Sequence, residues 1–229
     1  MSLLRHIPNM LTIGNLLCGC LGIISISGNY PIEPAYFIWA AGVFDFFDGF
    51  AARLLKVSSP IGKELDSLAD MVSFGVLPAM AMYHWIDSST ETSLLSYIAL
   101  MIAAFSALRL AKFNIDTRQT DSFIGVPTPA NALFISSLAF LPDSIRTSVF
   151  TTPVLIGITI VFSLLMVAPF ELFALKFKDF SWGNNKLRFT FLLLSVFLLG
   201  IFKAGALPLI ILSYIIISLG NKIPAGKKN

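Results

Sequence analysis

FDFFDGFAARLLKVSSPIGKELDSLADMVSFG, residues 44–75, places four aspartates, Asp45, Asp48, Asp66 and Asp70, in a chain that is otherwise oily. Keeping a carboxylate inside an apolar segment is costly, so something must hold these four. The surrounding composition sets the terms. Of 229 residues 56% are hydrophobic and only 13% are charged, with a mean hydropathy of +0.81. A soluble domain carries about 25% charge. The composition leaves no room for a soluble core and points to an all-α, polytopic integral membrane protein. The net charge of +3 fits basic loops against anionic headgroups, with no nucleic-acid partner.

A spanning helix needs about 20 apolar residues. Eight candidates are expected, near 9–28, 34–57, 63–86, 93–114, 127–147, 152–174, 187–202 and 204–220. The fifth is interrupted by Pro142 and Asp143. The last two are separated by Lys203–Ala206, as a tight helical hairpin or one interrupted element. The segment before the first run holds Arg5, His6 and Pro8 and does not read as a cleavable signal, so the first helix is expected to be a span and its own insertion signal. Cys18 and Cys20 lie two apart in that run and read as small apolar residues. His6 and His84 read as interfacial.

With the N-terminus inside, 14 of the 16 basic residues fall on the cytoplasmic side: Arg5; Arg53, Lys56, Lys63; Arg109, Lys112, Arg118; Lys176, Lys178, Lys186, Arg188; Lys222, Lys227 and Lys228. Only Arg146 and Lys203 fall outside. The positive-inside rule then predicts both termini in the cytoplasm of a multi-pass cell-membrane protein. Helix two runs inward and helix three returns, which puts Asp45 and Asp48 roughly 12–16 Å above the inner end of helix two.

At about 100° per residue, Asp45, Asp48, Gly49 and Ala52 share one face of helix two, and Asp66, Asp70 and Ser73 share one face of helix three. A short loop makes the two helices antiparallel neighbours, so the acidic faces oppose each other. Facing carboxylates without a counter-charge repel; clustered oxygens are what hard divalent cations (Mg²⁺, Mn²⁺ or Ca²⁺) bind. Gly49 and Ala52 leave space beside the metal and Arg53 suits a phosphate. Together they describe a nucleotide-diphosphate site. A structural ion pair does not fit four carboxylates with few basic residues at that depth. A cation-coupled transporter is the rival reading. Against it, the cluster lies near one face and the two helices have no Gly/Pro break at the acidic residues.

The pattern Asp45-x2-Asp48-Gly49-x2-Ala52-Arg53-x8-Gly62-x3-Asp66-x3-Asp70 resembles the CDP-alcohol phosphotransferase signature, matching at eight positions over 26 residues. The resemblance implies a six-helix membrane core, usually a homodimer, that needs divalent metal and transfers a phosphatidyl or related group from a CDP-linked donor to an alcohol, releasing CMP. It implies metal ligation by Asp45, Asp48 and Asp66, metal binding or general-base action by Asp70, and a CDP site at Gly49, Ala52, Arg53 and Gly62. The segments 7–19, 58–79, 109–114 and 123–130 look like the phosphatidylserine synthase branch, with CDP-diacylglycerol as donor and L-serine as acceptor. Glycerol phosphate or inositol phosphate are the alternative acceptors. The likeness covers roughly residues 5–180, giving a catalytic unit over 1–180 and a C-terminal apolar hairpin with a basic tail over 181–229.

Arg109 and Lys112, at the inner end of helix four, are candidates for serine's carboxylate or the lipid phosphate, or are flanking charge. Asn114 and Ser73 are candidate polar neighbours. Asn9, Thr12 and Asn15 share a face of helix one, to reach the nucleotide or to join helices. Gly125, Pro127 and Pro129 read as shaping a loop.

Overall fold

The computed structural model describes residues 6–28, 33–57, 59–116, 122–173 and 181–220. Arg5, Arg118, Lys176, Lys178, Lys222, Lys227 and Lys228 of the charge map lie outside them. Among the described residues five helices are long and apolar enough to cross a membrane, or six if one bent pair counts as a span. Prolines open many of them, because a first-turn residue has no intrahelical partner for its N–H. Pro8 lies in the first turn of α1 (Ile7–Ser27), Pro34 starts α2 (Pro34–Leu55) and Pro60 starts α3 (Pro60–Asp70).

The turn between α2 and α3 is tighter than the sequence suggests. Lys56 ends α2 in the left-handed conformation at φ 53°, and Val57 N–H bonds back to the Ala52 carbonyl. Ser59 then caps α3 by accepting from Gly62 N–H at 3.0 Å. Helix three therefore begins at Pro60, not Lys63.

It is also not a regular helix. A π-helical turn, Met71–Val76, follows Asp70 before α4 (Leu77–Ser89) carries the span outward. Pro78 cannot donate to the Phe74 carbonyl, and the widened turn sits directly before it. Ser73, fully buried, donates to the Asn15 carbonyl at 2.8 Å and pins the widened turn to α1. Gly19 makes the approach possible, since a Cβ there would sit 2.9 Å from Ser73 Cα.

A 3₁₀ turn, Ser93–Ala99, leads into α5 (Leu100–Ile115). The expected fifth and sixth spans are both shorter than read. Helix α6 (Thr128–Ser137) continues as a 3₁₀ turn to Phe140 and stops before Pro142. Helix α7 (Asp143–Val149) is separate and bends 78° from α8 (Thr152–Val167). Beyond α8 the chain forms a strand, β2 (Glu171–Phe173), antiparallel to β1 (Ser122–Ile124), with Phe123 opposite Leu172.

The last apolar stretch, Asn185–Gly220, resolves the earlier alternative as a hairpin of α9 (Trp182–Phe202) and α10 (Leu207–Gly220). The rings of Phe191 and Tyr214 lie 5.6 Å apart, which only a reversal at Lys203–Ala206 permits. Exposed Phe46, Phe47 and Phe50 face outward from α2, while Met82, Ile102, Ile135, Leu155 and Met166 pack between α4, α5, α6 and α8. Cys18 and Cys20 are free thiols.

Candidate active site

Helices α2 and α3 bring Asp45, Asp48 and Asp66 together, each offering a carboxylate oxygen within 4.8 Å of the others. Such a set of hard oxygen donors suits a divalent cation. Asp70 is not part of this group of three. It lies one helical turn on, nearly buried, and Asn15 Nδ2 donates to its Oδ1 at 3.0 Å. Thr12, one turn before Asn15 on α1, donates its hydroxyl to Asp48 Oδ2 at 2.7 Å. Both carboxylates are thus oriented by polar side chains of a third helix, the kind of support that fixes ligand geometry at metal sites. Sequence reasoning found the polar face of α1 but left its target open.

Two cavities meet at the carboxylates. One, about 510 Å³, lies between the ends of α1, α2 and α3. Asn9 and Thr12 line one side, Asp48, Gly49 and Ala52 another, and Gly62, Lys63 and Asp66 a third. A Cβ at Gly62 would come 3.1 Å from Asn9 Oδ1, so glycine there keeps α1 and α3 close. The second cavity, about 580 Å³, shares Asp48, Gly49, Lys63 and Asp66 with the first and adds Asp45 and Asp70. Its walls carry Arg53, Arg109 and Asn114, with Phe123, Pro127, Thr128 and Pro129 from the β1–α6 turn. Arg53 thus lines this second cavity, whereas Ala52 and Gly62 line only the first.

Arg109 is 5% exposed, its guanidinium carbon lies 5.3 Å from the Phe113 ring centre, and its Nε has no hydrogen-bond partner. Thr128, 2% exposed, likewise has an unpartnered hydroxyl. Unsatisfied buried groups of this kind are ready to meet a ligand. Asn114 is held from two sides: its Nδ2 donates to Ser67 Oγ at 2.9 Å, and its backbone carbonyl accepts from Lys63 Nζ at 2.9 Å. Four carboxylates and three basic side chains, Arg53, Lys63 and Arg109, therefore line the second cavity together. That balance leaves room for a divalent cation and an anionic ligand together.

Two sequence candidates sit elsewhere. Ser73 is spent on the Asn15 carbonyl and lines neither cavity. Lys112 is exposed and lines neither. Thr128 escaped notice because its flanking prolines read as loop-shaping; the proline pair that starts α6 is what presents it.

Comparison with known proteins places this geometry. A protein of Bacillus subtilis named CDP-diacylglycerol–serine O-phosphatidyltransferase is 38% identical over 152 residues, 65% of this chain and 83% of that protein. Proteins of the same name from Helicobacter pylori and Methanocaldococcus jannaschii are 33% and 35% identical; these alignments cover 83% and 60% of this chain and 79% and 62% of those proteins. Residues 5–168, which contain the carboxylates, both cavities and the α1 residues that steady them, match the CDP-alcohol phosphatidyltransferase family, and the chain belongs to it.

Proposed function

We propose that this protein transfers the phosphatidyl group of CDP-diacylglycerol to the hydroxyl of L-serine, giving phosphatidylserine and CMP. The observation that carries the reading is the shared carboxylate wall: Asp48 and Asp66 border both cavities, so a donor in one and an acceptor in the other meet at the same oxygens. The names of the relatives support serine as the acceptor.

Asp45, Asp48 and Asp66 would hold the divalent metal, Mg²⁺ or Mn²⁺ or else Ca²⁺, with Asp70 as a further ligand or as the base. When bound, such an ion neutralises diphosphate charge and stabilises the leaving phosphate. Asn9, Thr12, Gly49, Ala52 and Gly62 shape the space for the cytidine nucleotide, and Lys63 offers it positive charge. Arg53 and Arg109 attract the donor phosphate and the carboxylate of serine, and Asn114 and Thr128 supply neutral hydrogen-bonding groups. Asp70, its orientation set by Asn15, accepts the hydroxyl proton as the serine oxygen attacks phosphorus and the bond to CMP breaks. Arg53, Lys56, Lys63 and Arg109 line the two cavities, which supports a site facing the cytoplasm of the cell membrane with both termini on that side. Residues 1–180 form the catalytic unit, and two copies associate as a homodimer.

Purified protein in lipid nanodiscs is expected to release CMP from CDP-diacylglycerol only with serine and a divalent ion present, and none after chelation. Release with glycerol phosphate or inositol phosphate but not serine would replace the acceptor. No release with any alcohol, together with metal-dependent ion flux in liposomes, would favour the transporter.

A further inference from the structure

The C-terminal hairpin lies beyond the family match, which ends at residue 168, and nothing in the chemistry above uses it. Its packing is nonetheless specific. Tyr214 on α10 donates its hydroxyl to the Phe173 carbonyl of β2 at 2.7 Å. The rings of Phe173, Phe191 and Tyr214 form a closed trio, with centroids 4.9 Å (Phe173–Tyr214), 5.8 Å (Phe173–Phe191) and 5.6 Å (Phe191–Tyr214) apart. Leu172, fully buried, shares a cluster with Ile211 and Ile215 of α10. The hairpin therefore grips β2 from α9 and α10 together.

Strand β2 has its own load. It pairs with β1, where Phe123 sits opposite Leu172. The chain after β1 is tied to the same region: Gly125 N–H donates to the Phe170 carbonyl at 2.9 Å and Val126 N–H to the Leu165 carbonyl at 3.0 Å. Gly125 adopts φ 72°, and a Cβ there would collide with the backbone of α8, so the turn has one tight seat. Phe123, Pro127, Thr128 and Pro129, which bracket that turn, line the acceptor cavity. A two-stranded pair of three residues each has little stability alone. What surrounds it must hold it.

We propose that the C-terminal hairpin, acting through Tyr214, is a positioning element of the acceptor cavity: it clamps β2, β2 holds β1, and β1 sets the wall formed by Phe123 and the turn into α6. Tyr214 touches no substrate. The inference rests on the phosphatidyl-transfer reading for its kinetic consequence and on the hydrogen-bond chain alone for its structural one.

Tyr214→Phe keeps the ring and removes the donor. In nanodiscs it should raise the KM for serine roughly three- to tenfold, the size of one lost side-chain-to-backbone hydrogen bond, leaving kcat and the KM for CDP-diacylglycerol within about twofold. Hydrogen exchange at the Gly125 and Val126 amides should quicken by a similar factor. Ser213→Ala, which removes a hydroxyl that donates to the Ile210 carbonyl of its own helix, should change neither. Unchanged exchange and serine KM in Tyr214→Phe would overturn the proposal. So would a parallel loss in both KM values and kcat, which would make the hairpin a general stabiliser. If wild-type protein releases no CMP with any alcohol, the transfer reading fails, while the exchange result still decides whether the hairpin holds the wall.

Discussion

Thr12 and Asn15 place two polar groups one turn apart on α1 and direct them to carboxylates on two other helices. Orientation of this sort is worth 10- to 100-fold in metal affinity where it has been removed from other sites. Thr12→Val is therefore expected to raise the metal concentration for half-maximal CMP release about tenfold. The serine KM should hold and Thr12→Ser should recover most of the loss; an unchanged metal titration would show that Asp48 needs no such support. Thr128 is the counterpart in the second cavity, the proposed acceptor side. Thr128→Val conserves shape and deletes the hydroxyl, so the serine KM should rise about fivefold, the value of one neutral hydrogen bond, with Thr128→Ser restoring it. Identical serine titrations for wild type and Val would remove Thr128 from the acceptor site.

Among the elements, the π turn Met71–Val76 connects site and scaffold. It follows Asp70 directly, and Gly19 lets α1 close on it. Gly19→Ala would push a methyl group to 2.5 Å from Ser73 Oγ and 2.9 Å from its Cα. Overpacking of that kind costs about 1–3 kcal/mol, so the variant should melt several degrees lower in detergent. An unchanged melt would mean that α1 can move away freely. The sequence made the acidic faces of α2 and α3 readable because carboxylates at 3.6-residue spacing stand out against apolar neighbours. It did not disclose the π turn, whose partners, the Asn15 carbonyl and Ser106 beside Gly75, come from other helices. Nor could three-residue strands show a period, and the apolar flanks of Lys203–Ala206 gave no sign of whether the chain reversed there.

Over the whole molecule, the starts of α1, α3 and α6 share one end with the carboxylates, and the Lys203–Ala206 turn packs at the other end of α6, against Phe140. Reporter fusions at residue 229 and in the Lys203–Ala206 turn should report opposite sides of the membrane, the first cytoplasmic. The same side for both would contradict the hairpin.

The two cavities that share Asp48 and Asp66 also bear on the order of bond making and breaking in the proposed transfer. A donor and an acceptor that approach phosphorus from separate chambers are both in place when the transfer occurs. For the transfer proposed above, that arrangement predicts a single in-line displacement, with no covalent phosphatidyl-enzyme between them. With a donor made chiral at phosphorus by sulfur and oxygen isotopes, the product should show inverted configuration, and labelled CMP should not exchange into CDP-diacylglycerol without serine. Retention, or exchange in the absence of acceptor, would require two successive displacements and a nucleophile of the protein's own.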